Sequence, residues 1–449
     1  MRLAASLVFT AFCLAAADPP AGQLEQRGVL PLSLKRAVTM ALAPEGNTNV
    51  RLAGEALKQS QSRADEARGA LLPNLDGAFA YQDRDVNLQA QGFSAIHLPF
   101  AGFAFPTLVG PFTTMDARVS ATQNVLDFSS LRRYQAAKTG VSASRGDVES
   151  TGEQVAAQVA LAYLAAVKAD ADVESATANV TLSDALLTQA NNEKAAGTGT
   201  GIEITRAKVQ LANDRQHLLE AENAKRAAHL RLLRAMNMRL DTQVELTDRL
   251  SYTPVDAITL ADAQKQALEI RPDYKAQLDR ERSAQFSANA TRMERLPSLA
   301  AFGDYGASGS GMLNNLPTRT VGISIHVPIF DGGRRDARRE ESASQYRAEQ
   351  ARTTDLKEQI GLDVRLALDA LASAQDEVTV SKDGLDLSEN ELAQARRRYE
   401  AGVTNSIEVT DAQTRLERAR DNQTAALYQY NVARIQLAQA MGKVRSTVQ

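Results

Sequence analysis

The chain has 449 residues, with 51 Lys plus Arg against 54 Asp plus Glu, a formal net charge of −3, 13 Pro, no Trp and one Cys. Acids and bases are interspersed rather than blocked, which excludes a general attraction to phosphate backbones, and nucleic acid is not an expected partner. The lone thiol, Cys13, and four scattered histidines (His97, His217, His229, His326) leave no material for a disulfide framework, a Cys/His zinc site or a thiol nucleophile. No cofactor, metal or enzymatic activity is expected.

Residues 1–17 read as an export signal: Met1-Arg2, an apolar run from Leu3, and small residues Ala15-Ala16-Ala17 before Asp18-Pro19-Pro20. Bulky Phe12 before Cys13 argues against lipid attachment there. No later stretch approaches 18 uninterrupted apolar residues, so any membrane passage falls to β-strands.

Prolines leave two long gaps, between Pro111 and Pro254 and from Pro328 to the end, both rich in Ala, Leu, Glu, Gln and Arg. Without an interior Pro to remove a hydrogen bond and clash with the preceding turn, these stretches predict long helices. Overlaying them reveals a duplication. Ala196-Gly197, Ile202-Glu203, Thr205, Ala207 and Leu211 recur as Ala401-Gly402, Ile407-Glu408, Thr410, Ala412 and Leu416 at a constant offset of 205. Leu72-Pro73-Asn74-Leu75 recurs as Leu296-Pro297-Ser298-Leu299 at an offset of 224, so the first copy carries about 20 extra residues before Asp127. That extra segment, 87–111, is rich in Gly, Pro and Phe and predicts a long loop bearing Phe93, Phe100, Phe103 and Phe105.

The expected division is a first repeat at 18–240, a joining segment at 241–257 and a second repeat at 258–449. Each repeat reads as helix, two strands, long helix, Gly-bearing turn, shorter helix. The shorter helices of the first copy, 32–70 and 202–236, would span about 58 and 52 Å, and the long ones, 129–195 and 334–400, about 100 Å each. Val409, Ala412, Leu416, Ala419, Gln423, Ala426, Tyr430, Ala433, Leu437 and Ala440 follow a three-four spacing, the seam of a coiled coil. Ile204, Ala207, Leu211, Leu218, Ala221, Ala228, Leu232 and Ala235 echo it. Small residues in a seam bring helices close and favour a thin wall of paired helices. An ordinary coiled-coil rod would explain the seam equally well.

Four strands are predicted at 74–87, 112–127, 298–311 and 318–331. The last places Val321, Ile323, Ile325, Val327 and Ile329 on one face against Thr320, Gly322, Ser324 and His326 on the other. Transmembrane strands need about 9–11 residues with one lipid face and one wet face, although a soluble sheet with one exposed face alternates too. Bacterial barrels start at about eight strands, and an open sheet edge in lipid leaves polar groups unpaired. If these strands lie in a membrane, several chains share one barrel.

The tandem copies, the two Leu-Pro-x-Leu entries, the exit Val327-Pro328-Ile329-Phe330-Asp331-Gly332-Gly333-Arg334 and the turn from Tyr399 to Val409 together resemble the TolC-like outer-membrane efflux proteins. The resemblance covers nearly all of the mature chain. It implies a mainly α fold: a long antiparallel coiled-coil barrel in the periplasm plus four transmembrane strands per chain, closed as a homotrimeric barrel of 12 strands. It implies a passive exit duct in the outer membrane of a Gram-negative-type bacterium, in contact with outer-membrane lipid, serving an inner-membrane pump through a periplasmic adaptor protein. The alternative is a periplasmic adaptor or scaffold without a pore. An adaptor would be expected to show one helical hairpin between small β-domains, whereas this chain carries two full copies.

By the same resemblance, Glu408 and Asp411 line a closed periplasmic aperture, Tyr399 helps hold it shut, and Gly402 is the turn about which the tips swing. Asn405 or Ser406 is the expected cap of the last helix, which puts Glu408 and Asp411 in its first turns on one face. Threefold symmetry would gather these acids into a ring that favours cations; acids near a helix start also simply complement its dipole. In the first copy Glu203 keeps the acid while Arg206 replaces Asp411, and Glu203–Arg206 is expected to form a surface pair. Thr404 stands where some relatives carry a basic latch. Gly197-Thr198-Gly199-Thr200-Gly201 resembles a phosphate loop only superficially, because it follows a helix and lacks the Lys.

Overall fold

The computed structural model describes residues 29–43, 46–92, 106–197, 199–256, 258–311, 314–404 and 406–448. The expected signal segment, Asn405 and Phe93, Phe100, Phe103 and Phe105 of the extra loop lie outside the described residues. The first copy runs β1 (Leu30–Leu32), α1 (Leu34–Leu42), α2 (Thr48–Gly69), β2 (Asn74–Asn87), β3 (Leu108–Leu126), α3 (Phe128–Ala195) and α4 (Gly201–Ala235). After β4 (Val244–Leu246) come α5 (Leu260–Ile270), α6 (Pro272–Met293), β5 (Ser298–Gly309), β6 (Asn315–His326), α7 (Arg334–Glu400), α8 (Ser406–Ala440) and the short α9 (Val444–Val448).

The two longest helices, 68 and 67 residues, each extend about 100 Å. Asp127 starts α3 by accepting from the backbone N–H groups of Ser129 at 2.9 Å and Ser130 at 3.3 Å. The seam expected in α8 is buried at Val409, Ala412, Leu416, Ala426, Tyr430, Ala433 and Leu437. Close approach recurs between α3 and α6, where a Cβ on Gly146 would stand 2.9 Å from that of Ala276. One correction concerns the first helix, expected unbroken over 32–70. It is divided into α1 and α2, because Ala43, preceding Pro44, takes ψ 150° and leaves the helical region. The second copy breaks in the same way at Arg271, ψ 121°, before Pro272.

The membrane-type strands form one antiparallel sheet of order β2-β3-β5-β6. Its register sorts the side chains. Leu75, Ala121, Gly303 and Val321 share one row, and Phe79, Ala117, Ala307 and Pro317 another on the same face. The opposite face carries Asp76, Ser120, Asp304 and Thr320, with Arg118 one row on. There Arg118 pairs with Asp116 at 3.0 Å and also with Asp304. Phe302 lies over its cross-strand partner Gly322, whose missing side chain makes room for the ring. The chain's own helices leave the apolar face uncovered: Val321, Ile323 and Ile325 are 84, 72 and 70% exposed.

The last strand is shorter than expected. It ends at His326, not Asp331, because Pro328 has no N–H to donate, so Val327 and Ile329 fall outside the sheet. The third boundary also moves, since β5 stops at Gly309. Conversely, β3 begins at Leu108 rather than Phe112, and its pairing with β2 continues to Asn87↔Leu108, beyond the final β3–β5 pair Met115↔Gly309. One hairpin therefore overhangs the other.

Midway along the helices lies a second, unpredicted sheet in which β1 pairs in parallel with β4. It closes over the largest core cluster, including Leu32, Val38, Val159, Tyr163, Leu232 and Met236. The Tyr163 hydroxyl lies 2.9 Å from both the Leu32 carbonyl and the Asp248 carboxylate, which also accepts from Leu34 N–H at 2.7 Å. Three-residue strands carry too little periodicity to be read from sequence.

Gly146→Val should force α3 from α6 and destabilise the chain by about 1–3 kcal/mol, as overpacking does in a filled interface. Helical melting followed by circular dichroism in detergent should fall by several degrees; an unchanged midpoint would show that this contact has slack.

Candidate functional site

The sequence-derived site maps to the end of the helices remote from the sheet, where α3 turns into α4 and α7 into α8. Both turns use glycine in the left-handed region, Gly197 at φ +80° and Gly402 at φ +71°, where a side chain would strain the backbone. The N–H groups of Gly402 and Val403 return to the Tyr399 and Arg398 carbonyls, each at 2.9 Å, which closes the end of α7.

The predicted residues do not converge on one point. Tyr399 faces α3, where its hydroxyl donates to the Glu193 carboxylate and joins the two hairpins of the chain. Burial, with Glu193 and Glu203 nearby, pushes the Tyr399 phenol well above its ordinary pKa, so it remains a donor. Gln189 also donates to Glu193, at 3.0 Å. Glu408 is held within its own hairpin: Thr404 donates to it, and Arg398 Nε lies 3.5 Å away. Thr404 thus contacts Glu408 instead of a second helix pair. Asp411 is exposed, near the start of α8.

The expected Glu203–Arg206 surface pair is absent among the described residues. Glu203 instead accepts from the Thr200 N–H at 2.8 Å and caps the start of α4, because an acid three residues into a helix can reach back to the capping residue. The first-copy acid therefore serves its own helix. Glu203 still borders the cleft it shares with Tyr399, Arg206, Gln210, Ser183 and Gln413.

Glu193, Ser183, Asp214, Gln413 and Glu417 were not singled out from sequence. A signal was available for one of them: the first-copy seam steps from Leu211 to Leu218, skipping the position that Asp214 fills, and Asp214 is buried. The others contact the site from positions far apart in the chain.

Paired helices of about 100 Å, joined to a sheet whose apolar face and outer edges are left open, define the subunit of a membrane-anchored duct. The chain matches the family model described as outer membrane efflux protein over residues 40–238 and 263–443, and it belongs to that family. The pyoverdine export outer membrane protein OpmQ of Pseudomonas putida is 24% identical over 409 residues, covering 90% of this chain and 83% of the relative. The alkaline protease secretion protein AprF of Pseudomonas aeruginosa is 23% identical over 323 residues, covering 70% and 67%. The Campylobacter jejuni CmeC outer membrane channel superposes with a TM-score of 0.78 at 17% identity, over 91% of this chain and 85% of that one, a likeness of fold. The TolC-like reading and the outer-membrane location both stand. The reading as an adaptor or scaffold without a pore does not.

Tyr399→Phe deletes the hydroxyl that joins α7 to α3 while preserving the ring. Amide exchange near residues 190–197 and 399–404 should accelerate roughly tenfold or more, with the core around Tyr163 unaffected, since a net hydrogen bond to a charged group contributes about 1.5–3 kcal/mol. Equal exchange in both proteins would show that the contact does not restrain the tip.

Proposed function

We propose that the chain forms the outer-membrane exit duct of a tripartite efflux or type I secretion system, receiving cargo from an inner-membrane pump through a periplasmic adaptor. One observation carries the reading: a four-stranded sheet presents an uncovered apolar face and free edges at β2 and β6, at one end of helices about 100 Å long. Twelve-residue strands tilted in the usual way span about 30 Å, the thickness of the hydrocarbon layer. Two chains would give an eight-stranded barrel, whose interior side chains fill; three give twelve strands and leave a passage. In this homotrimer the two repeats, 18–240 and 258–449, each contribute two strands.

The wall is passive, and its chemistry is electrostatic. Relatives named for pyoverdine export and for alkaline protease secretion match at nearly equal identity, which supports a duct not shaped around one cargo. The tips close the periplasmic end, with Tyr399 bound to Glu193 across the hairpins, and open by an outward swing of α7 and α8 around Gly402. Three copies each of Glu408 and Asp411 ring the aperture and favour cations.

Trimers reconstituted in planar bilayers should conduct with cation preference, and Glu408→Ala with Asp411→Ala should reduce that preference severalfold in reversal-potential measurements. Correctly assembled trimers without channels would refute the duct; unchanged selectivity would refute the ring alone.

A further inference from the structure

Between the tip and the middle of the helices, α3, α4 and α8 enclose a polar cluster that the functional reading does not use. Gln413 Nε2 donates to Ser183 Oγ at 2.9 Å and lies 3.3 Å from Glu417 Oε1. Ser183 donates to Asp214, which also accepts from Gln210 Nε2 at 2.9 Å. Ser183, Asp214 and Gln413 are all buried. Asp214 occupies a seam position that an apolar residue would fill at lower cost, as its neighbours Leu211 and Leu218 do. Unpaired carboxylates are expensive to bury, and among the described residues no Lys or Arg forms an ion pair with Asp214 or Glu417. Neighbouring cations serve other acids: Arg215 pairs with Asp184 at 3.8 Å, Lys168 with Asp172 at 2.7 Å, and Arg415 with Glu391.

Glu417 joins this cluster from α8. It faces Asp214 and His217 of α4 and Asp421 of its own helix; Lys168 and Asp172 of α3 act on Asp421 in turn. Burial and then repulsion from Asp214 push the Glu417 carboxyl up to about 7, against the Gln413 hydrogen bond and His217.

We propose that Glu417, linked to Asp214 through Gln413 and Ser183, is a proton-dependent latch that holds α8 against the α3–α4 hairpin, and that losing the Glu417 proton loosens the closed tip. This rests on the exit-duct reading. With Glu417 protonated, the pair carries one negative charge and Glu417 is free to donate. With Glu417 ionised, two carboxylates oppose each other in a partly dry interface. When α8 swings away, Glu417 returns to water and to the ordinary carboxylate range. The docked state therefore binds the proton more tightly. Docking is strongest at pH values below that ordinary range, weakens as pH rises towards about 7, and is weakest above it.

The test is the open probability of reconstituted trimers as a function of periplasmic-side pH. Between pH 5.5 and 7.5 the open-to-closed ratio in the wild type should rise roughly twentyfold for each chain whose release opens the channel, the scale expected when an acid's ionisation is suppressed only in the closed state. Glu417→Gln should stay closed at both values with a flattened profile; Asp214→Asn should retain a profile displaced to lower pH. Conducting Glu417→Gln trimers with the wild-type profile would overturn the latch but leave the duct intact. Should Glu417→Gln fail to assemble, an undisplaced profile in Asp214→Asn would overturn it equally. Trimers of every variant that never conduct would overturn the duct, and the latch with it.

Discussion

Hydrocarbon offers no partner for a backbone N–H or C=O, and this constraint governs the whole molecule. Within one chain, β3 and β5 are paired on both sides, while β2 and β6 each keep an open edge. The apolar row that includes Leu75 and Val321 makes the sheet suited to lipid, and the open edges make it unable to stand there alone. Assembly is therefore a condition of folding in the membrane. In the proposed trimer the polar row containing Asp76, Asp304 and Thr320 would face the shared passage rather than a private core.

The helices answer a different demand. A duct wall must be long, thin and stiff, and Ala is the commonest buried apolar residue among the described ones, with close approach as at Gly146 against Ala276 and with Tyr163 and Tyr430 as the buried aromatics. A thin wall buries little apolar area per residue. The small β1–β4 sheet and the Asp248 carboxylate that accepts from Leu34 N–H tie the helices midway, and a separate cluster of Leu392, Ala395, Val409, Ala412 and Leu416 packs nearer the tip. Tyr399, Glu193 and Thr404 lie at that end.

Most of the architecture was legible because its causes are local and repeated. The α3 and α7 helices follow from long proline-free stretches, and β2 from alternation over Asn74–Asn87. Boundaries failed where one residue overrode a pattern: Pro44 divided the first helix, and Pro328 removed Ile329 from a strand whose alternation it continued. The tip was only partly legible. Glu203 repeats Glu408 in sequence, yet it caps α4 while Glu408 meets Thr404 and Arg398, because a backbone N–H and a guanidinium are different neighbours for the same side chain. Glu193 and Gln413 have local partners at i,i+4 spacing, Gln189 and Glu417, but their links to Tyr399 and Ser183 come from tertiary packing, which leaves no spacing to detect. Asp214 is the exception, because it fills one of the gaps in the first-copy seam.

The unequal hairpins also shape the rim of the proposed barrel. Pairing between β2 and β3 persists to Asn87↔Leu108, whereas β3 leaves β5 at Met115↔Gly309. In the proposed trimer this offset would raise one hairpin of each chain above the other and give the barrel a stepped rim.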